Sequence, residues 1–151
     1  MDVDARVAGA LADQGEALVA TSRWTNLNTF SNDGGKLLFF HGVSDPWFSA
    51  LDTIDYYERM SKANGGPAVV NNWSRLYLAP GMGHCNGGEA ALDSFDLLTS
   101  LVDWVEKGAA PGEILLTSRD NSVSYPVCVY PLRTTWNGSG PVTEAKSFAC
   151  K

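Results

Sequence analysis

Two short loops of this chain carry the residue types that can do acid–base chemistry. One spans 78–85 (LAPGMGHC) and holds His84, and the other spans 41–46 (HGVSDP) and holds Asp45. A histidine held in position by a carboxylate can take a proton from a nucleophile and return it to a leaving group. The two residues are therefore candidates for the base and the acid of a Ser-His-Asp triad.

The pattern around these loops predicts that they meet. Each follows a short strand-like run, at 36–40 and 73–78. The run at 36–40 is nearly continuous in apolar residues, which is typical of a strand buried on both faces of a parallel sheet. Each also precedes a helix-like pattern, so the order strand, helix, strand, helix predicts a right-handed crossover and an α/β fold. Open α/β sheets place working residues at the carboxyl ends of their strands, which puts Asp45 and His84 side by side.

Helical periodicity predicts three helices around this unit. Residues 2–20 form a helix that Gly9 and Gly15 weaken, and a polar, turn-rich stretch follows at 21–35. Ser49 is predicted to cap a helix that ends at 65–67. That helix has one apolar face, made of Leu51, Ile54, Tyr57 and Met60.

The strongest helical pattern spans 89–107. Its predicted buried stripe consists of Leu92, Phe95, Leu98, Val102 and Val105. A short strand is expected at 114–117, and beyond it the chain reads as turns and extended backbone rich in glycine and proline.

A nucleophile is missing from the sequence, which has no Gly-x-Ser-x-Gly motif. Ser44 lies between a strand and a helix, but Pro46 occupies the place of the second glycine, so a turn or capping role is the simpler interpretation. His41 precedes the acid and is interpreted as a structural hydrogen-bonding residue rather than the base. Position alone also allows His84 to be an ordinary loop histidine and Asp45 a helix N-terminal carboxylate.

Composition narrows the remaining classes of function. The chain has 151 residues, 44% of them apolar, and a net charge of −6, which fits one domain with a real core. It has no basic patch for nucleic acid and no apolar stretch long enough to span a membrane. Residues 1–4 do not begin a signal peptide, which leaves open a signal in a longer precursor.

The cysteine count is odd. Cys128 and Cys150 lie in the turn-rich tail, where a disulfide between them would provide a staple. Cys85 adjoins His84 and is left either free or paired outside the chain. No C-x-x-C occurs, so a zinc or redox motif is unsupported.

Several motifs in one order resemble the tannase and feruloyl esterase family. Segment 35–46 (GKLLFFHGVSDP) resembles its acid loop, and 80–85 (PGMGHC) its histidine loop. Segments 128–131 (CVYP), 138–140 (GSG) and 148–150 (FAC) resemble its C-terminal signature, although Val129 stands where a proline is common and Tyr125 where an arginine is common.

The resemblance implies that 1–151 is the C-terminal segment of an α/β-hydrolase catalytic domain, ending in a disulfide-stapled, irregular tail. The nucleophile elbow and a large lid domain, which often holds calcium, would precede it, so no cofactor is expected here. Cys85 would pair with a cysteine beside the absent serine.

The implied substrate is a small aromatic ester, and Trp47 is the aromatic residue expected at the cleft. Secretion or a periplasmic location is implied as well.

Two alternatives stay open. One is a non-catalytic fragment or partner subunit whose exposed sheet edge pairs with the missing half or with another chain. The other is a compact esterase that uses Ser44 as its nucleophile.

Overall fold

The computed structural model describes residues 2–88 and 91–151. Two parallel strands with a helix between them form its centre, as the sequence predicts. The helices are α1 (Val3–Ala12), α2 (Gln14–Val19), α3 (Asn28–Asn32), α4 (Ala50–Ala63), α5 (Pro67–Val70) and α6 (Leu97–Lys107). The strands are β1 (Leu37–Gly42), β2 (Ser74–Ala79), β3 (Ile114–Thr117), β4 (Ser124–Val127), β5 (Thr134–Trp136) and β6 (Phe148–Cys150).

Side chains of the central pair alternate between two apolar clusters, which lie on opposite faces of the sheet. Leu76 and Leu78 of β2 join the cluster built on α4, with Tyr57 and Met60. Tyr77 of β2 joins the other cluster, where β3 and β4 pack. Coverage of both faces is why 37–40 of β1 and 76–79 of β2 read as continuous apolar runs, although β2 opens with Ser74 and Arg75.

Local capping sets the ends of several helices. The Oγ atom of Ser49 accepts a hydrogen bond from the Leu51 amide at 3.2 Å, so α4 begins where the sequence predicts. Tyr57 and Met60 of its apolar face are buried, but Leu51 is 72% exposed, which corrects that part of the prediction. The predicted helix over 2–20 is two helices, because Asp13 ends α1 and its side chain caps α2.

The predicted helix over 89–107 is wrong at its start, and its predicted buried stripe is confirmed only in part: Leu92 is buried and Phe95 packs against the same cluster. Residues 89–90 lie outside the described residues, and 91–96 are not helical, since Ser94 pairs with Thr117 of β3. The helix begins at Leu97, capped by the Asp96 carboxylate. Its Leu98 is 71% and its Val105 60% exposed, whereas Trp104 is buried beneath the side chains of Lys36 and Arg75.

The tail has more strand than the sequence predicts. Strand β3 pairs with β4, and β5 pairs with β6, both antiparallel. Cys128 follows β4 and Cys150 lies in β6, and the predicted disulfide joins them across 5.6 Å between Cα atoms. The tail is attached to the central sheet through a bridge between Tyr77 and Val129.

No helix in the described parts of the chain is both long enough and apolar enough to cross a membrane.

Candidate active site

The loops after β1 and β2 are hydrogen-bonded to each other. The amide of Val43 donates to the Ala79 carbonyl at 2.9 Å, and the amide of Ser44 donates to the Met82 carbonyl at 3.0 Å. Between the loops, a Cβ atom at Gly42 would lie 2.1 Å from the carbonyl oxygen of Gly83. Only glycine allows this approach without a backbone shift, and the approach brings the acid loop against the histidine loop.

Asp45 and His84, which the sequence predicts to lie side by side, are in direct contact. Nδ1 of His84 lies 2.7 Å from Oδ2 of Asp45. The other carboxylate oxygen, Oδ1, accepts the amides of Trp47 at 2.8 Å and Phe48 at 3.1 Å. One oxygen of Asp45 is therefore held by its own loop, and the second is presented to the histidine.

These contacts keep Asp45 ionised. Burial of its carboxylate would raise the pKa, but hydrogen bonds from His84, Trp47 and Phe48 outweigh that effect and lower the pKa to about 2. An ionised carboxylate only accepts hydrogen bonds, so Nδ1 of His84 carries the proton in the neutral ring. The lone pair of His84 is then on Nε2, which makes no hydrogen bond to any residue in the described ranges.

Aromatic rings flank the imidazole. The ring centroid of Trp47 lies 5.1 Å and that of Phe48 lies 5.3 Å from the ring centroid of His84. The side chain of His84 remains 40% exposed, against 4% for Asp45. The imidazole of His84 is thus reachable from outside, while the Asp45 carboxylate behind it is shielded.

An open cleft of about 660 Å³ adjoins the pair. Phe48 lines it, whereas Trp47, 72% exposed, does not lie among its lining residues. The remaining lining residues include aromatic, hydroxyl and acidic side chains: Thr21, Ser22, Phe39, Phe40, His41, Asp45, Ser49, Asp52, Thr53, Tyr56, His84 and Cys85. This mixture suits a flat apolar group carrying polar substituents.

The three remaining sequence candidates lie near the pair without joining it. Cys85 is a free, exposed thiol with a φ of 64° and lies at the cleft. Ser44 is exposed and makes no hydrogen bond to His84 in the described part of the chain. His41 contacts Thr53 and Phe48, so it has the hydrogen-bonding role that the sequence suggested.

Sequence reasoning missed a support on the far side of the histidine loop. The carboxylate of Asp93 accepts the amide of Gly87 at 2.9 Å and pairs with Arg119, also at 2.9 Å. The Arg119 guanidinium, with the Gly87 amide, holds the pKa of Asp93 below its usual range. No local pattern identifies this pair, because 26 residues separate its members.

Comparison with known proteins gives a consistent result. A family model described as tannase and feruloyl esterase matches residues 3–151. Mono(2-hydroxyethyl) terephthalate hydrolase from Piscinibacter sakaiensis is 45% identical over 132 residues, which cover 83% of this chain and 21% of the relative. Feruloyl esterase B from Aspergillus niger is 34% identical over 144 residues, which cover 83% of this chain and 27% of the relative.

The fold matches solved structures as well. The crystal structure of feruloyl esterase B from Aspergillus oryzae superposes with a TM-score of 0.80 at 24% identity, covering 91% of this chain and 31% of that one. The fold is therefore that of part of an α/β-hydrolase esterase. In each comparison the chain spans about a fifth to a third of the other protein's length.

Proposed function

Because the chain belongs to the tannase and feruloyl esterase family, we propose that it supplies the histidine and carboxylate of a triad that hydrolyses esters of aromatic acids. It would be the C-terminal segment of the catalytic domain. The nucleophilic serine, the oxyanion hole and the lid would come from polypeptide outside these 151 residues, since no Gly-x-Ser-x-Gly occurs here.

The observation that carries this proposal is the 2.7 Å contact between Asp45 and His84, with Nε2 free of partners among the described residues. In the reaction, Nε2 takes the proton of the serine hydroxyl as its oxygen attacks the ester carbonyl. Asp45 stays ionised and stabilises the imidazolium that forms. His84 then gives the proton to the leaving alcohol, and an acyl-enzyme remains.

Deacylation repeats these steps with water. His84 removes a proton from the water that attacks the acyl carbonyl, and it returns this proton to the serine oxygen as the acid departs. Asp45 again holds the imidazole in the tautomer with the proton on Nδ1. The products are the alcohol and the free acid, and the enzyme has returned to its starting state.

The substrate class follows from the cleft and the family. Phe48 and Tyr56 offer aromatic surface beside His84, which suits an aromatic acyl group. Among the relatives, one is named for a terephthalate ester and others for feruloyl esters. We extend only the shared class, an ester of an aromatic carboxylic acid, to this chain.

The proposal also bears on the location of the protein and on whether its reaction uses a metal ion. A disulfide between Cys128 and Cys150 suits an oxidising compartment, which supports secretion or a periplasmic location. No group of three or more His, Cys, Asp or Glu side chains within residues 2–88 and 91–151 is arranged to hold a metal ion. These residues therefore do not fit the family's calcium site, and no step of the reaction is assigned to a metal.

The direct test measures hydrolysis of a 4-nitrophenyl ester by the purified chain and by its His84→Ala variant. We expect equal rates near background, because a histidine and an aspartate without a serine cannot form an acyl-enzyme. Under this proposal the oxyanion donors, each contributing about 3–4 kcal/mol in known enzymes, would also lie outside the wild-type chain and its variant. A fast rate abolished by both His84→Ala and Ser44→Ala would establish the compact esterase instead.

A reconstitution experiment tests the positive half of the proposal. The N-terminal part of the Piscinibacter relative, which carries the remaining four-fifths of that protein, is co-expressed with this chain. Activity should appear with the intact chain and disappear with Asp45→Ala or His84→Ala. A stable complex with no activity would favour the non-catalytic partner.

A further inference from the structure

His41 is hydrogen-bonded through both of its ring nitrogens, and both contacts involve the elements that hold Asp45. Nδ1 lies 2.8 Å from Oγ1 of Thr53, in the first turn of α4. Nε2 lies 3.2 Å from the carbonyl oxygen of Phe48. The ring thus links the end of β1, the turn after Asp45 and the start of α4.

These partners select one tautomer. The Phe48 carbonyl can only accept a hydrogen bond, so Nε2 of His41 must carry a proton. In the neutral ring Nδ1 then has the lone pair, and the Thr53 hydroxyl donates to it. Nε2 also lies 3.8 Å from Oδ2 of Asp45, the oxygen that holds His84, a separation too long for a hydrogen bond.

The carbonyl that His41 holds belongs to the residue whose amide holds Asp45. Phe48 donates its N–H group to Oδ1 of Asp45 and accepts from His41 through its own oxygen. Loss of the His41 contact would free the turn over 45–48 to rotate, and with it the carboxylate. The side chain of His41 is only 12% exposed, so water cannot readily replace it.

Other polar groups face the same space. Asp52 and Thr53 project from α4, Asp45 belongs to the acid loop, and His84 and Cys85 come from the histidine loop, all lining the cleft with His41. Among these groups only Thr53 is hydrogen-bonded to Nδ1 of His41 within the described ranges. The Phe48 carbonyl determines the tautomer, and the Thr53 hydroxyl, which can donate to Nδ1, holds the other side of the ring.

We propose that His41 is a positioning residue that fixes the Asp45 turn and thereby the orientation of His84. The Phe48 carbonyl sets its Nε2–H tautomer, and Thr53 orients its ring. The inference rests on the proposed role of Asp45 toward His84. It explains why the acid loop carries a histidine directly before Gly42, the residue at which this loop comes closest to the other loop.

The test uses nuclear magnetic resonance of the imidazole nitrogens in the intact chain, without any ester or nucleophile. Wild-type His41 should show the Nε2–H tautomer, and His84 should show a protected Nδ1 proton bonded to Asp45. His41→Leu removes the donor to Phe48, whereas His41→Gln retains an N–H group at that place. We expect the Nδ1 proton of His84 to exchange with water at least about tenfold faster in His41→Leu, and close to wild type in His41→Gln.

Thr53→Val is a second test, which removes the hydroxyl partner of His41 Nδ1 and keeps the shape of the side chain. His41 should keep the Nε2–H tautomer but lose the partner of Nδ1, so its ring is held less firmly and exchange of the His84 proton should accelerate. Thr99→Val, the same substitution in the first turn of α6, is the control and should leave both signals unchanged.

An Nδ1–H tautomer of His41 in the wild type, or an unchanged His84 signal in both His41→Leu and Thr53→Val, would overturn the inference. This outcome is separable from failure of the esterase proposal, because it is read without turnover. Conversely, an inactive reconstituted enzyme with the expected spectra would leave the positioning of Asp45 by His41 intact.

Discussion

The two oxygens of Asp45 have different donors, and this division determines how the residue responds to acid. Oδ1 is bound by backbone amides of its own loop and Oδ2 by His84. These donors are in place only in the folded chain. Folding therefore favours the ionised carboxylate and lowers the pKa of Asp45 to about 2.

The first residue-scale prediction concerns pH. The folded pKa of Asp45, about 2, lies below the unfolded value of about 3.9, so its contribution to stability is complete above the unfolded pKa and is lost as the pH falls through the folded one. Asp45→Asn should therefore lower the free energy of unfolding at about pH 6, and the gap should shrink between about pH 4 and pH 2. Urea titrations across this range measure the gap, and a constant gap would contradict the assignment.

A second residue-scale prediction concerns Gly42, where the two loops come closest. Gly42→Ala should destabilise the chain by about 1–3 kcal/mol, because the new methyl group meets carbonyl oxygens of the histidine loop. Gly9→Ala is the matched control, since no atom lies within 4 Å of a Cβ there. It should stabilise α1 by about 0.5–1 kcal/mol. Urea denaturation measures both, and equal effects of the two would contradict the close approach.

Elements outside the two loops position Asp45 and His84. Strands β1 and β2 run parallel, so both loops leave the same edge of the sheet, and the long-range pair of Asp93 and Arg119 supports the second loop from behind. In the tail, β5 and β6 have three paired residues each. Such a short pair is marginal by itself and depends on the disulfide beside it.

The element-scale prediction concerns this disulfide. The bond closes a loop with a sequence separation of 22, so replacing Cys128 and Cys150 with serine should cost about 3 kcal/mol of stability. The cost is read from urea midpoints of the oxidised wild type and the double variant. Thiol counting in denaturant should find one free thiol in the oxidised wild type, which is Cys85. Three free thiols would contradict the bond.

For the whole molecule, apolar residues lie both in the core and on an uncovered surface. Met60 is fully buried, whereas Leu98 of α6 and Leu11 of α1 are more than half exposed. Helical patterns of this kind are amphipathic in sequence, yet these faces have no partner within the described residues.

The whole-molecule prediction compares how much a buried and an exposed apolar residue contribute to the free energy of unfolding. Met60→Ala should lower the free energy of unfolding by about 2–5 kcal/mol, because it leaves a cavity in the core. Leu98→Ala should change it by no more than about 0.5 kcal/mol, since that side chain is exposed. Urea denaturation of the two variants, which remove similar volumes, gives the comparison. A large loss at Leu98 would mean that its face is covered.

Features with short-range causes could be predicted from the sequence. The Ser49 cap starts α4 through an amide two residues away, and the apolar run of β1 has the composition of a strand covered on both faces. The order of these elements allows one handedness of crossover, so the meeting of Asp45 and His84 also follows. The chain order and the residue types therefore contain the candidate site in outline.

Tertiary structure alone decides features that depend on distant partners. Leu98 and Leu92 share one helical pattern in the sequence, yet Leu92 is buried in a non-helical segment and Leu98 faces outward. His41 selects its tautomer only where Thr53 and the Phe48 carbonyl meet, and Asp93 finds Arg119 across the chain. The physical reason is that burial and hydrogen-bond partners belong to the packed molecule, whereas caps and periodicity act over a few neighbouring residues.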